Sequence, residues 1–269
     1  MVDSNHLSSP TGQASSTPVH LYLDLLKRAI TDTIYKAEPD PNNESSAEFL
    51  DGFIRHYVKG RAASMLPLAR MNNIQFCVED VIRNNVPGDF IETGVWRGGA
   101  CIFMRGILKA HGIGNRRIWV ADSFEGLPTP DAEQFPLEAA AHRGPVMNKV
   151  YKHFAVSVEE VRENFARFGL LDDQVVFLKG WFKDTLPVAP IGRLALIRLD
   201  GDYYQSTWDS LVNLYDKLSV GGYVIIDDYG EDSWTHCRKA IEDFRRERGI
   251  TEAIEPVDSN CHYWRRSHL

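Results

Sequence analysis

The chain has 269 residues, of which 43% are apolar and 25% are charged, and its formal net charge is -7. This length and composition predict one main domain with a sizeable core. The negative charge argues against wholesale binding to nucleic acid or to an anionic membrane surface, because both require clustered Lys and Arg. We therefore expect the partner to be a small molecule or another subunit.

The cysteines and the first residues indicate the compartment. The first twenty residues contain no Lys or Arg and no apolar run, so we expect no secretory signal. No window approaches the roughly 20 uninterrupted apolar residues of a membrane span. We expect a cytoplasmic protein. Four cysteines lie far apart without C-x-x-C spacing and are predicted to be reduced and packed in the core: Cys77, Cys101, Cys237 and Cys261.

Two kinds of segment precede the first convincing strand. Residues 1–18 are rich in Ser, Thr, Pro and Gly and are expected to form a disordered arm. Apolar residues then recur at helical spacing over about 19–35 and about 65–86, which predicts two helices. Because both helices come before the sheet begins, residues 19–86 are predicted to form a helical cap.

Residues 87–269 alternate strand and helix signals. Five short apolar runs predict strands: DFIETGV, RRIWVAD, QVVFLKG, LALIRLD and GGYVIIDD. Helices are predicted between and after these runs, near 98–112, 157–169, 205–218 and 233–248. Continuously apolar strands separated by helices are typical of a parallel sheet covered on both faces, so the predicted fold class is doubly wound α/β. Weak periodicity and several prolines favour a long mobile insertion over about 128–154.

Acidic residues end four of the predicted strands. They are Glu92 after the first, Asp122 after the second, Asp200 and Asp202 after the fourth, and Asp227 and Asp228 after the fifth. Parallel strands all point their carboxyl ends to one edge of the sheet, where ligands bind. The predicted helix at 205–218 is a single right-handed crossover, which makes the fourth and fifth strands neighbours. Asp200, Asp227 and Asp228 should therefore converge.

Converging carboxylates repel each other unless they are protonated or bridged by a cation. An all-oxygen ligand set favours Mg²⁺. The structural alternative is that Asp227 and Asp228 are turn and capping residues, and that Asp200 and Asp202 form an Asx turn. Because both pairs end adjacent strands, we favour the Mg²⁺ site.

A Gly-rich turn, ETGVWRGGA, joins the first strand to the next helix. Its G-x-x-x-G-G pattern is not the dinucleotide pattern G-x-G-x-x-G, and a tight connection alone would explain it. Asp122, at the end of the next strand, could accept hydrogen bonds from both ribose hydroxyls. S-adenosylmethionine, a nucleoside without a diphosphate, fits both features. Its carboxylate would lie against the backbone of residues 94–99 at the helix N-terminus.

Five blocks of sequence resemble the macrocin (TylF-type) O-methyltransferases, which methylate deoxysugar hydroxyls of macrolide and aminocoumarin natural products. The blocks are FIETGVWRGGACIFMRGIL, WVADSFEGLP, FLKGWFKDTLP, IRLDGDYYQSTWDSL and GGYVIIDDYG, within roughly residues 60–265. The resemblance implies a Rossmann-like methyltransferase fold with S-adenosylmethionine as donor. It also implies dependence on Mg²⁺, a glycosylated small-molecule substrate of antibiotic biosynthesis, and a homodimer or larger homo-oligomer.

The resemblance further implies roles for single residues. Asp200, Asp227 and Asp228 match the metal ligands, and Asp202 matches the proposed general base. Ser64 and Met65 are candidates for closing over the cofactor. The remaining residues implied to contact or surround the cofactor are Glu92, Thr93, Gly94, Asp122, Ser123, Phe124, Gly180, Trp181 and Phe182.

The predicted reaction is attack of a sugar hydroxyl on the sulfonium methyl group, with Asp202 removing the proton. One alternative is a catechol-type O-methyltransferase. Tyr203 and Tyr204 follow Asp202 where a Lys base would be expected, which argues against it. Another alternative is a non-catalytic scaffold that binds the cofactor, and the complete set of acidic residues argues against that. Three histidines could be alternative bases but are predicted to be surface or capping residues: His142, His153 and His236.

Overall fold

The computed structural model describes most of the chain, namely residues 17–35, 52, 54–144, 150–230 and 235–268. Nearly all of the predicted disordered arm, residues 1–18, lies outside the described residues. The described part of the arm belongs to the first helix, α1 (Pro18–Ile30), because the Thr17 side chain accepts a hydrogen bond from the His20 N–H and Pro18 stands in the first turn.

The two predicted N-terminal helices are both present. They are α1 and α2 (Leu68–Arg83), with a short π-helical turn over Ile54–Val58 between them. Leu23, Leu26 and Ile30 of α1 are buried in the same apolar cluster as the inner residues of α2. The N-terminal helices therefore pack on the core of the sheet. Their role as a cap over the ligand stays a prediction.

A seven-stranded sheet forms the centre of the molecule, in the order β3-β2-β1-β4-β5-β7-β6. Its strands are β1 (Asp89–Thr93), β2 (Ile118–Asp122), β3 (Val175–Lys179), β4 (Leu194–Leu199), β5 (Leu218–Ile226), β6 (Glu255–Pro256) and β7 (His262–Arg265). The first five are parallel, whereas β7 runs antiparallel to β5 and to β6. β4 and β5 are neighbours, as the crossover predicted.

Helices cover both faces of the sheet. They are α3 (Gly99–Ala110), α4 (Pro136–Arg143), α5 (Val158–Arg167), α6 (Phe182–Thr185), α7 (Tyr204–Leu214) and α8 (Thr235–Arg248). Successive strand residues alternate between two cores: Phe90 packs with α1, α2 and α3, and Ile91 packs with α7 and α8. The predicted doubly wound, mostly parallel α/β fold is confirmed.

The insertion is more regular than its sequence indicated. The described part of residues 128–154 contains α4, which the weak periodicity did not predict. The Ala-rich stretch LEAAAHR lies within this helix, and Ala has the highest intrinsic helix propensity.

Among the described residues, every helix is too short or too polar to span a membrane.

Candidate active site

A cavity of about 780 Å³ opens at the carboxyl edge of the parallel strands. This volume lies within the range of about 300–1,000 Å³ that is usual for small-molecule sites. Twelve residues predicted from the sequence line it: Ser64, Met65, Glu92, Gly94, Asp122, Ser123, Trp181, Phe182, Asp200, Asp202, Asp227 and Asp228. The structure therefore brings the predicted cofactor residues and the predicted metal ligands to one cavity.

Three residues predicted to contact or surround the cofactor lie behind the cavity wall. The buried Thr93 hydroxyl donates to the backbone carbonyl of Arg198 at 3.4 Å. The Phe124 N–H donates to the Asp122 carboxylate at 2.7 Å, and the Gly180 N–H donates to the Asp122 carbonyl at 2.9 Å. Thr93, Phe124 and Gly180 thus shape the wall without being among the residues that line the cavity.

The Gly-rich turn brings the ends of β1 and β4 close together. Gly94 has a φ of +86°, and a Cβ atom there would lie 1.8 Å from the carbonyl oxygen of Asp200. Only glycine fits at such a position, because it has no side chain and tolerates positive φ. This close approach sets Asp200 directly beside the turn predicted to hold the cofactor.

Asp122 ties the Gly-rich turn to the end of β2. One carboxylate oxygen accepts the Val95 N–H at 2.7 Å and the other accepts the Phe124 N–H. Burial raises the pKa of Asp122, and these backbone hydrogen bonds oppose the rise. The Ser123 hydroxyl donates to the same oxygen as the Phe124 N–H, at 3.4 Å, so the local structure already supplies most of the hydrogen bonds that this carboxylate can accept. Its contact with ribose stays a prediction.

The three predicted metal ligands meet at the ends of β4 and β5. The Asp200 N–H donates to the Thr93 carbonyl and the Asp227 N–H to the Leu199 carbonyl, both at 2.9 Å, which continues the parallel ladder past the strands. Each of Asp200, Asp227 and Asp228 offers a carboxylate oxygen, and these atoms all lie within 4.8 Å of one another. The sheet itself brings the three side chains together.

The electrostatics of this cluster match a cation site. Burial, followed by the Asp227 charge, raises the pKa of Asp200 to about 7. Burial and the Asp202 charge raise the pKa of Asp228 well above its usual range. Without a bound cation, ionisation of the full set is therefore costly. Three close carboxylates are a hard, all-oxygen donor set of the kind that Mg²⁺ prefers, so the residues present fit that ion.

A buried arginine, which the sequence reasoning missed, lies behind this cluster. Arg198 stands opposite Glu92 in the β1–β4 pairing, and its guanidinium donates to the Glu92 carboxylate. It also donates to Asp200 at 2.7 Å and to Asp227. A guanidinium stays charged and holds several donors in a fixed plane, so it can neutralise and orient carboxylates together. A single Arg in the apolar run LALIRL was the available signal.

A second arginine reaches the cluster from the N-terminal helices. Arg70 of α2 donates to Asp227 at 2.7 Å and to Asp258, in the loop before β7, also at 2.7 Å. Asp227 therefore accepts hydrogen bonds from two guanidinium groups. Nothing in the local sequence around Arg70 predicted this contact, because its partners lie 157 and 188 residues away.

Asp202, the predicted base, lies beside the ligands in a strained turn. Its backbone is left-handed, with a φ of +60°. Its N–H donates to an Asp228 carboxylate oxygen at 3.2 Å. Burial and the nearby Asp200 charge raise the pKa of the Asp202 carboxyl well above its usual range. The arrangement places a carboxyl group with a raised proton affinity next to the ligand set.

The insertion contacts this turn through α4. The Glu138 carboxylate accepts the Tyr204 N–H at 2.8 Å, and His142 Nδ1 lies 2.6 Å from the Tyr203 hydroxyl. His142, which the sequence analysis predicted to be a surface or capping residue, is half-buried, and its ring packs against Tyr151 and Tyr203.

The sequence of this chain matches a known protein family. Residues 58–266 match the sequence profile described as macrocin-O-methyltransferase (TylF). The chain belongs to the macrocin-O-methyltransferase family. It is therefore an O-methyltransferase, and the family resemblance predicted from the sequence is confirmed. The family and its fold imply S-adenosylmethionine as the methyl donor.

Three relatives are similar to this chain over nearly the whole length of both chains. Demethyldecarbamoylnovobiocin O-methyltransferase of Streptomyces niveus is 46% identical over 264 residues, which cover 96% of this chain and 97% of the relative. The 8-demethyl-8-(2,3-dimethoxy-alpha-L-rhamnosyl)-tetracenomycin-C 4'-O-methyltransferase of Streptomyces olivaceus is 47% identical, with 92% and 93% covered. Mycinamicin III 3''-O-methyltransferase of Micromonospora griseorubida is 45% identical, with 94% and 98% covered.

Two solved structures are similar to this chain over nearly its whole described length. The O-methyltransferase NovP is 46% identical and superposes with a TM-score of 0.80, covering 93% of this chain and 100% of NovP. The calicheamicin methyltransferase CalS11 is 19% identical and superposes with a TM-score of 0.58, covering 96% of this chain and 98% of CalS11. The second likeness concerns the fold alone.

Proposed function

We propose that this protein uses S-adenosylmethionine and Mg²⁺ to methylate a sugar hydroxyl of a natural-product glycoside. The observation that carries the proposal is the convergence of Asp200, Asp227 and Asp228 in the cavity that also contains the Gly94 turn. The relatives are named for novobiocin-, tetracenomycin- and mycinamicin-type compounds, and one of those names includes a rhamnosyl group.

Asp200, Asp227 and Asp228 would hold the metal ion. When bound, Mg²⁺ supplies a positive charge that lowers the pKa of an adjacent hydroxyl. Arg198 orients two of the ligands from behind through its bonds to Asp200 and Asp227. Because that guanidinium is buried and stays charged, it would hold Asp200 and Asp227 in place with or without a bound ion.

Asp202 would take the proton of the acceptor hydroxyl on a carboxylate oxygen. It lines the cavity and is joined to Asp228 through its own N–H, so it lies next to the ligands without belonging to the three-carboxylate set. General-base catalysis by a positioned carboxylate requires this proximity to the reacting hydroxyl. No covalent intermediate with the protein is needed.

The cofactor would lie against the Gly94 turn and Asp122, where it supplies the methyl group as a sulfonium. Ser123, Trp181 and Phe182 would line its adenine side, and Glu92, Ser64 and Met65 are the other proposed contacts. Thr93, Phe124 and Gly180 would support the cofactor from behind the cavity wall. Direct displacement at a methyl group depends chiefly on alignment of the attacking oxygen with the sulfur–carbon bond. The two proposed sites share one cavity, which would favour that alignment.

We also propose a homo-oligomer that acts in the cytoplasm. Leu21 and Leu25 lie one turn apart on α1, and each is 58% exposed, which provides an apolar surface for a second copy. The four cysteines are free and buried, in agreement with a reducing compartment. Sedimentation of the wild type and of a Leu21→Lys, Leu25→Lys variant tests the first point: a variant of unchanged mass would contradict α1 as the interface.

The deciding experiment measures methyl transfer from labelled S-adenosylmethionine to deoxysugar glycosides and to catechols, with Mg²⁺ or with EDTA. We expect transfer to a glycoside, and we expect EDTA to abolish it. Transfer to catechols alone would contradict the sugar assignment and leave the metal site standing. Transfer that EDTA does not affect would contradict the metal assignment. Where the same assay is applied to Asp200→Asn or Asp228→Asn, the matched control is Asp216→Asn, which removes a carboxylate from an exposed ion pair with Arg248.

A further inference from the structure

Helix α7 begins directly after the predicted base and has no side-chain cap of its own. Its N-cap residue, Tyr203, makes no capping hydrogen bond through its side chain. The first N–H groups of any helix have no partner within the helix and need another acceptor. The N-terminus of α7 must therefore be satisfied from elsewhere in the chain.

Glu138 of the insertion supplies that acceptor. Its carboxylate accepts the Tyr204 N–H at 2.8 Å, and the residue is only 2% exposed. A carboxylate at a helix N-terminus is favoured by the helix dipole, and a charge-assisted hydrogen bond is stronger than a neutral one. Glu138 thus caps α7 from a segment that lies 66 residues earlier.

His142 adds a second contact from the same face of α4. Glu138 and His142 are four residues apart, the spacing that places two side chains side by side on a helix. His142 Nδ1 lies 2.6 Å from the Tyr203 hydroxyl, and the Tyr151 ring stacks on the His142 ring with centroids 5.4 Å apart. One helix face therefore holds two consecutive residues, Tyr203 and Tyr204.

The residue just before these two is Asp202. A non-glycine residue with positive φ is strained and persists where the surrounding structure holds it. On one side, the Asp202 N–H is anchored to Asp228. On the other side, the next two residues are anchored to Glu138 and His142.

We propose that Glu138 is a positioning residue: by capping α7, it fixes the turn that carries Asp202, so that docking of α4 and completion of the site are one event. His142 assists through Tyr203. The inference rests on the proposed function, in which Asp202 accepts the hydroxyl proton. It assigns the insertion a role in positioning the proposed base.

The test compares Glu138→Ala with Glu138→Gln, whose amide oxygen can still accept the Tyr204 N–H. In Glu138→Ala we expect the Tyr204 amide to exchange hydrogen at least about tenfold faster and kcat to fall by about ten- to a hundredfold. Affinities for S-adenosylhomocysteine and for Mg²⁺, measured by calorimetry, should stay within about twofold. Glu138→Gln should restore most of the protection and of kcat. Glu133→Ala, at an exposed residue just before α4, is the control and should match the wild type.

Two results would overturn the proposal. An unchanged exchange rate at Tyr204 in Glu138→Ala would show that Glu138 does not cap α7. Faster exchange with unchanged kcat would show that the cap does not position the base. If the Ala variant does not fold, Glu138→Met, which keeps the chain length without an acceptor, replaces it. The exchange measurement requires no acceptor substrate, so transfer that EDTA does not affect would contradict the proposed function and leave the capping result standing.

Discussion

The two sides of the carboxylate cluster differ in how their charge is compensated. Asp227 accepts hydrogen bonds from both Arg70 and Arg198, and Asp200 accepts one from Arg198. Across the part of the chain that the structure describes, no Lys or Arg forms an ion pair with Asp202 or Asp228. Guanidinium groups thus hold Asp227 and Asp200, whereas Asp202 and Asp228 have no such partner among the described residues.

This difference separates two tasks that positive charge performs in the site. Arginine cannot lose its proton in a protein, so Arg198 is a permanent cation that fixes Asp200 and Asp227. A metal ion can leave and return, so it suits the cavity that all three proposed ligands line. The proposed Mg²⁺ would therefore complete a charge balance that the buried arginines leave unfinished.

The largest expected effect is loss of the ligands themselves. Asp200→Asn and Asp228→Asn should each reduce turnover to about 1% of wild type or less, because the bound charge contributes several kcal/mol to the transition state. Affinity for S-adenosylhomocysteine should change by less than about threefold. Steady-state kinetics and calorimetry check both points. A fully active Asp200→Asn variant would remove the metal assignment.

Loss of the buried arginine should act on stability first. Arg198→Met leaves Glu92, Asp200 and Asp227 without their shared counter-ion, and breaking a buried pair costs about 3–5 kcal/mol. Urea unfolding measures the free energy of unfolding. Arg248→Met, at an exposed pair with Asp216, is the control and should cost less than about 1 kcal/mol. Equal effects of the two variants would contradict the role given to Arg198.

The metal-free protein should also show a characteristic pH dependence. Burial and the Asp227 charge raise the pKa of Asp200 from 3.8 to about 7. Between these values only the folded protein holds the proton, so this group's stabilising contribution is lost as the pH rises from about 4 to about 7. Mg²⁺ binds the ionised form and should raise the melting temperature more at pH 8 than at pH 5.

Thermal unfolding in EDTA and in Mg²⁺ over this pH range measures the effect. The Asp200→Asn variant is the control, because its amide does not titrate, and its stability in EDTA should vary less with pH. If the stability of the wild type and of the variant in EDTA changed by the same amount between pH 4 and pH 7, the assignment would be contradicted.

The smallest effect is expected at the second arginine. Arg70→Gln leaves Arg198 on Asp227, so we expect Mg²⁺ affinity to change by about tenfold or less. Calorimetric titration with Mg²⁺ measures the change, and Arg70→Lys, which keeps the charge, should lie closer to the wild type. A complete loss of metal binding in Arg70→Gln would mean that Arg70, rather than Arg198, holds the ligand set.

Sequence reasoning was enough to predict which acidic residues follow the strands and that β4 and β5 are neighbours. A strand that is apolar throughout and ends in Asp can be recognised locally, and a right-handed crossover makes β4 and β5 neighbours. These two facts suffice to bring Asp200, Asp227 and Asp228 to one point. The doubly wound fold likewise follows from the alternation of strand and helix signals, and the observed sheet confirms it.

The groups that support those acids become apparent only in the folded chain. Arg198 binds Glu92, which lies 106 residues away in the sequence, and Arg70 binds Asp258, which lies 188 residues away. Glu138 caps a helix that begins 66 residues later. Such pairs leave no periodic signal in the chain, because each partner looks locally like an ordinary charged residue. They become important when folding removes both partners from water, because an unpaired charge in the protein interior costs far more than a paired one.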